Sequence, residues 1–141
     1  MIDVEQVVID VQVPQDELRI VAMQPYIRFR GPVVEPFRWS TDAVEAQLGA
    51  ISRTLDISLT GFNGLPANFT VFPEYAIPGV PGASLVSERI AAGDWPNGSI
   101  IIGGLDGITK AEYVDLCRSL DIRFSALNAP DTVPDGQWVN C

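Results

Sequence analysis

The sequence predicts an α/β protein, because short apolar segments with strand character alternate with segments of helical periodicity. The apolar, β-branched segments lie at residues 18–24, 69–72 and 99–102. Strands of this composition are typical of a sheet that helices bury, since a parallel sheet needs cover on its faces. The expected order of elements is strand, helix, strand, helix, strand.

The first core strand is predicted at residues 18–24, LRIVAMQ, and Pro25 ends it because proline cannot donate to a strand ladder. Residues 1–17 mix acidic residues with valines and are predicted to be an extension, either a strand or an amphipathic segment. The domain core is therefore expected to span residues 18–141. Residues 26–39 carry a glycine and two prolines, which predict a surface loop.

A helix is predicted to begin near residues 40–42, whose side-chain oxygens can accept from free helical amides. Glu45 follows Asp42 by three residues, in the manner of a capping box. One apolar stripe at spacings of four, three and four is expected to pack on the sheet: Val44, Leu48, Ile51 and Leu55. Gln47 is expected on another face, and the helix should end before Gly61.

The second half of the chain continues the alternation. After the strand at 69–72, residues 78–82 are predicted to form a turn-rich loop, followed by a helix at 83–92. The strand at 99–102 ends at Gly103 and Gly104, which are expected to form a tight turn with positive φ.

A last helix is predicted from a cap at Thr109 through Leu120, with Tyr113 and Leu116 on its apolar stripe. Residues 137–141, QWVNC, are predicted to open another strand.

Composition restricts the classes of function. Eighteen acidic and nine basic residues give a formal charge of −9, which argues against nucleic-acid binding. No apolar run approaches the roughly 20 residues of a membrane-spanning helix, and the start lacks the basic region of a secretory leader. We therefore expect a soluble, cytoplasmic chain without membrane partners.

The inventory of reactive side chains is short. The sequence contains no histidine, which excludes histidine-dependent triads and histidine-ligated metals within these residues. Cys117 and Cys141 lack the spacing of a metal site or a disulfide framework and are expected to be reduced thiols. No cofactor and no metal are predicted, and acid–base chemistry falls to carboxylates, tyrosines or Lys110.

The most informative segment is ANFTVFPEYAIPG, residues 67–79, where an apolar strand is followed at once by Glu74. Ligands of open α/β sheets gather at the carboxyl ends of strands, so Glu74 is placed as a catalytic carboxylate. Its apolar and aromatic neighbours predict partial desolvation, which would suit a general base. The alternative is an exposed loop acid that caps the next element.

Four segments in register resemble the nitrilase superfamily of carbon–nitrogen hydrolases: LRIVAMQP, FTVFPEYAIPG, SIIIGGLDG and WVNC. The resemblance covers residues 18–141 and implies the amino-terminal half of an α-β-β-α sandwich. It also implies a Glu-Lys-Cys site that hydrolyses amides or nitriles through a thioester. The one site residue that it carries over is Glu74, as general base.

The other two members of such a site are not matched. Lys110 follows the third strand, whereas the family's lysine follows the strand that residues 137–141 begin, so Lys110 is interpreted as a solvated helix-start lysine. Cys141 precedes the position of the family's cysteine, and Cys117 is interpreted as a small buried hydrophobe.

The chain alone is therefore expected to be inactive and to expose apolar surface, which predicts a homo-oligomer or association with another chain. The alternative is a non-catalytic interaction module built on the half-fold. A third interpretation is an unrelated α/β domain in which FPEY occurs by chance.

Overall fold

The computed structural model describes residues 17–25, 38–93, 95–121, 134 and 136–139. Three helices and five strands follow one another along this part of the chain: β1 (Ile20–Ala22), α1 (Thr41–Thr60), β2 (Phe69–Val71), α2 (Gly79–Ala92), β3 (Ile100–Ile102), β4 (Ile108–Thr109), α3 (Lys110–Ser119) and β5 (Trp138–Val139). The predicted α/β class is confirmed. The predicted extension at 1–17 lies outside the described residues except for residue 17.

Strands β1, β2 and β3 form a parallel sheet in that order, with β2 in the centre. Both connections step in the same direction, and right-handed crossovers then place α1 and α2 on the same face of the sheet. The three predicted core strands are thus confirmed, each shorter than its apolar run. A core of Ile51, Leu55 and Phe72 joins the helices to the sheet.

The two faces of this sheet differ in cover. Side chains alternate along a strand, so the registered residues Val21, Thr70 and Ile101 point to the face that carries the helices. Thr70 is buried, and Ile101 packs against the core. Two apolar rows occupy the opposite face, which we call the bare face: Ile20, Phe69 and Ile100, then Ala22, Val71 and Ile102.

At the ends of these rows, Ile20 is 50% exposed and Ile102 is 52% exposed. Within the described residues the architecture is one helix layer on one sheet, and the sandwich implied by the resemblance stays a prediction.

The predicted strand at the end of the chain is present, but in a different sheet. Strand β5 pairs antiparallel with β4, and Ile108 lies opposite Val139. Ile108 is fully buried in a second core with Tyr113 and Leu116, and Val139 packs against it. Packing on this second core therefore explains why β5 joins β4 instead of the parallel sheet.

Helix α1 confirms the predicted apolar stripe but not its predicted cap. Ile51 and Leu55 are fully buried, whereas no side-chain hydrogen bond caps the helix at Ser40 and the box expected from Asp42 and Glu45 does not form. Asp42 lies inside the first turn, so its side chain is past the capping position.

Helix α2 begins at Gly79, inside the segment predicted to be a loop. Pro81 is tolerated there because the first amides of a helix have no intrahelical acceptor, and the missing N–H of proline costs nothing. The predicted loop at 78–82 was therefore wrong from Gly79 onwards.

Helix α3 confirms the predicted cap at Thr109, which forms a capping box with Glu112. Cys117 is buried as predicted. None of the helices described here is both long and apolar enough to span a membrane.

Candidate functional site

Glu74 lies three residues beyond the end of the central strand β2, at the carboxyl edge of the parallel sheet. Its side chain is exposed, not partly desolvated as the sequence predicted. The reason is that Phe72 and Ala76 turn their side chains into the core and leave the polar turn between them at the surface. The carboxylate is thus accessible to a reactant in solution.

The turn that carries this carboxylate, residues 73–76, is called the Glu74 turn. The Ala76 N–H donates to the Pro73 carbonyl at 3.1 Å and closes it. Tyr75 has a φ of 60°, a left-handed conformation that costs a non-glycine residue about 1–2 kcal/mol. A bulky aromatic residue keeps such a conformation only where the surrounding structure fixes it.

Two side chains from outside the turn hold it in this conformation. The Trp39 indole Nε1 donates to the Tyr75 carbonyl at 2.7 Å, and the Gln47 Nε2 donates to the Ala76 carbonyl at 2.6 Å. Gln47 is buried, although the helical pattern predicted another face for it. A buried amide at an otherwise apolar position of α1 is explained by this bond, because it satisfies a carbonyl that water does not reach.

Gly103 and Gly104 border the turn from β3. Neither has the positive φ that the sequence predicted. Gly104 instead permits a close approach of the Glu74 backbone, and Gly103 leaves room for the side chains of Ile77 and Phe72. A Cβ on Gly104 would lie 3.1 Å from the Glu74 Cα, and one on Gly103 would lie 2.6 Å from the Ile77 Cδ1. The glycine pair therefore lets the end of β3 pack directly under the Glu74 turn.

Asp106 follows the glycine pair and is 4% exposed. Its Oδ2 accepts from the Trp39 backbone N–H at 2.8 Å, whereas its buried Oδ1 meets no donor at hydrogen-bonding geometry. Burial raises the pKa of the Asp106 carboxyl, while the amides of Trp39 and Gly79 act against that rise. The Gly79 amide therefore stabilises the ionised form of Asp106 without donating a well-aligned hydrogen bond to it.

Arg38 joins this region to the start of α3. Its Nε donates to the Gly107 carbonyl and its Nη2 to Glu112 Oε2, both at 2.6 Å. Burial alone would raise the pKa of Glu112, but hydrogen bonds from Thr109 and the Arg38 charge lower it. The Arg38 guanidinium also stacks 4.6 Å above the Trp138 ring, which ties β5 to the same arginine.

The remaining reactive residues lie elsewhere. Lys110 is the first residue of α3 and follows β4, not a strand of the parallel sheet. Cys117 is 3% exposed, and burial raises the pKa of its thiol against a weaker effect of Tyr113, which makes it a poor nucleophile. Cys141 lies outside the described residues. Within the described ranges, no group of three His, Cys, Asp or Glu residues could hold a metal ion.

Two clefts open on the described part of the chain, and one of them is partly lined by Ile77 and Gly103 beside the Glu74 turn. One, of about 560 Å³, is lined by Lys110, Arg118 and Trp138 between α3 and β5. The other, of about 440 Å³, is an apolar groove that includes Val86, Ile90 and Leu120. Neither is lined by residues of the Glu74 turn.

The residues that support the turn were not found from the sequence. Trp39 bonds to Tyr75 across 36 positions of the chain and to Asp106 across 67 positions. Hydrophobic periodicity is a local signal and does not predict contacts over such separations. The available signal was an aspartate two residues after the glycine pair that follows β3. No protein-family model, curated protein or solved structure matches the chain.

Proposed function

We propose that this chain supplies the general-base glutamate of a carbon–nitrogen hydrolase that acts on small amides or nitriles, with Glu74 as the base. The observation that carries the proposal is an exposed carboxylate at the carboxyl end of the central strand, on a strained turn that hydrogen bonds from Trp39 and Gln47 fix. Strain at a well-supported position is typical of functional sites. The resemblance of FTVFPEYAIPG to nitrilase-superfamily sequences supplies the reaction class.

In the proposed reaction, Glu74 takes the proton of a cysteine thiol, and the thiolate attacks the amide carbon. Collapse of the tetrahedral intermediate breaks the C–N bond, the amine leaves with that proton, and a thioester forms. Glu74 then activates the water that hydrolyses the thioester. Lys110 and Cys117 do not suit the other two roles, so a lysine and a cysteine from beyond the described residues complete the site.

The bare face supports the layered architecture of this proposal. Two rows of apolar side chains in register suit packing against a second β-sheet, which stacks about 10 Å away in proteins that bury such a face. Apolar surface of this kind on a soluble chain marks an interaction site. A cytoplasmic location belongs to the same proposal, since the buried Cys117 is a free thiol.

The bare face also favours a second candidate function, a non-catalytic module that associates through it with a sheet of matching apolar chemistry. The two candidates differ in the need for Glu74. Association through the bare face does not involve the Glu74 carboxylate, whereas hydrolysis requires it.

Hydrolysis of a panel of small amides and nitriles tests the first candidate, measured on the native gene product after its intact mass is determined. Glu74→Gln keeps the shape of the side chain and removes the base, so we expect the rate to fall at least about 100-fold. Glu88→Gln is the matched control, because Glu88 is an exposed acid on α2. Mass spectrometry should show an acyl adduct in the unsubstituted protein and none in Glu74→Gln.

Equal rates for Glu74→Gln and Glu88→Gln would refute the hydrolase proposal. Sedimentation of the same proteins then tests the second candidate. Association that is unchanged by Glu74→Gln but weakened by a polar residue on the bare face would identify the chain as an interaction module.

A further inference from the structure

The Glu74 turn is linked to a buried carboxylate that the proposed reaction does not use. The backbone N–H of Trp39 donates to Asp106 Oδ2 at 2.8 Å, and the indole N–H of the same residue donates to the Tyr75 carbonyl at 2.7 Å. One tryptophan therefore joins the Asp106 carboxylate to the residue beside Glu74. Because both bonds come from one residue, a change in the position of Trp39 at Asp106 is passed to the turn.

A second connection runs through the backbone on the far side of the turn. The Asp106 N–H donates to the Ile77 carbonyl at 2.9 Å, and the Ile77 N–H donates to the Gly104 carbonyl at 3.1 Å. Asp106 is thus bonded directly to Ile77, two residues after Tyr75, and is linked to the Tyr75 carbonyl through Trp39. The left-handed conformation of Tyr75 needs support of this kind, since its own preference opposes it.

The energetics of Asp106 argue against a passive surface role. A carboxylate that is 4% exposed has lost most of its hydration, and one of its oxygens forms no hydrogen bond. Apolar packing at this position would avoid that cost. The one well-aligned bond that the carboxylate accepts from another element goes to Trp39.

We propose that Asp106 is a positioning residue, which sets the orientation of the Glu74 turn through its bond to Trp39. The catalytic meaning of this inference rests on the proposed function, whereas the physical link from Asp106 to the turn does not. Asparagine at position 106 keeps an oxygen acceptor for the Trp39 N–H, and alanine removes it. A comparison of the two variants therefore distinguishes the loss of the hydrogen-bond acceptor from a general effect of replacing Asp106.

Hydrogen exchange of the ¹⁵N-labelled full chain tests the link directly. The signals are the Trp39 indole N–H and the Ala76 amide, with the Leu55 amide as a report on global unfolding. We expect Asp106→Ala to accelerate exchange at the two turn signals about tenfold relative to Leu55, the effect of one lost hydrogen bond. Asp106→Asn should stay within about threefold of the unsubstituted chain.

Asp115→Ala is the control, because Asp115 is an exposed acid on α3; it should change neither signal. Unchanged exchange in Asp106→Ala would overturn the proposal, as would equal acceleration by alanine and asparagine. If Asp106→Ala does not fold, Asp106→Leu decides the question, since it also removes the acceptor of the Trp39 N–H and fills the buried position with an apolar side chain of similar shape. A tenfold acceleration at Ala76 supports the link, and unchanged exchange there refutes it.

Activity gives the second readout. With an amide that the unsubstituted protein hydrolyses, Asp106→Ala should lower kcat about tenfold with KM within about twofold, and Asp106→Asn should restore most of the loss. A fall confined to KM would overturn the positioning role. An unsubstituted protein that hydrolyses nothing refutes the proposed function alone, because the exchange experiment still decides whether Asp106 positions the turn.

Discussion

The two faces of the parallel sheet are built from the same three strands but have different surroundings. On one face, Thr70 is 1% exposed beneath α1 and α2. On the bare face, Ile20 and Ile102 are about half exposed although they are as apolar as the residues beside them. The difference in cover is therefore not matched by a difference in side-chain chemistry.

The apolar composition of both faces indicates how such strands are usually packed. A sheet with one solvated face normally alternates apolar and polar residues, whereas continuous apolar strands are typical of sheets buried on both faces. The strand III at residues 100–102 shows no alternation. We infer that the bare face is suited to cover by another layer.

The largest difference is expected for the core under the helices. Leu55→Ala removes a fully buried side chain between α1 and the sheet and should lower the free energy of unfolding by about 2–5 kcal/mol. Ile57→Ala is the matched control, two residues further along the same helix and 46% exposed. Chemical denaturation of both variants measures the contrast. Similar losses for both would mean that the helix layer does not bury the first core.

A smaller effect is expected from the titration of Asp106, which lies near the start of α2. Burial raises its pKa, against the opposing amides of Trp39 and Gly79 and the charge of Arg38; Glu112 acts with burial. As pH rises, the Asp106 carboxyl of the unfolded chain ionises near its ordinary pKa of 3.8, whereas the same carboxyl of the folded chain ionises at a higher pH. The contribution of Asp106 to the free energy of unfolding is therefore fully present below pH 3.8 and is lost as pH rises through the folded-state pKa.

Asp106→Asn should remove that decline, so its stability relative to the unsubstituted chain should improve as the pH rises above 3.8. Glu112→Gln provides a control of opposite sign. The lowered pKa of Glu112 gives stability above its ordinary value of 4.5 that is lost as pH falls through the folded-state value. Urea unfolding from pH 3 to 7 measures both slopes, and parallel curves for the three proteins would contradict the assignment.

The sequence was sufficient to predict the α/β class and the three strands of the parallel sheet, but not the contacts that shape the site. The strands at 69–71 and 100–102 were found because apolar runs bounded by turn residues are local signals. The stripe through Ile51 and Leu55 was found for the same reason. Local sequence signals were therefore enough to predict the three strands of the sheet, the first helix and the position of Glu74 after a strand.

The remainder depends on bonds between distant parts of the chain. Gln47 was assigned to a face other than the apolar stripe, yet it is buried and donates to the Ala76 carbonyl, 29 residues away. The glycines at 103 and 104 were assigned to a turn, yet the Glu74 backbone lies close to Gly104 and the Ile77 and Phe72 side chains lie close to Gly103. These contacts are not visible until the strands are placed side by side.

The smallest effect is expected on the bare face, and it gives the sharpest comparison of the two faces. Ile101 and Ile102 are adjacent in β3, point to opposite faces, and can carry the same substitution by threonine, which preserves β-branching. Ile101→Thr should lower the free energy of unfolding by about 1–3 kcal/mol because it places a hydroxyl against the first core.

Ile102→Thr should change the stability of the same chain by less than about 0.5 kcal/mol, because half of that side chain is already in water. It should also reduce binding of a hydrophobic dye, and Ile20→Thr should add to the reduction. Urea unfolding and dye fluorescence at several protein concentrations measure these changes. If Ile102→Thr costs as much as Ile101→Thr and the cost grows with protein concentration, the bare face is covered in an assembly. If the cost is equal at every concentration, the face is covered within one chain, and the contrast between the two faces disappears.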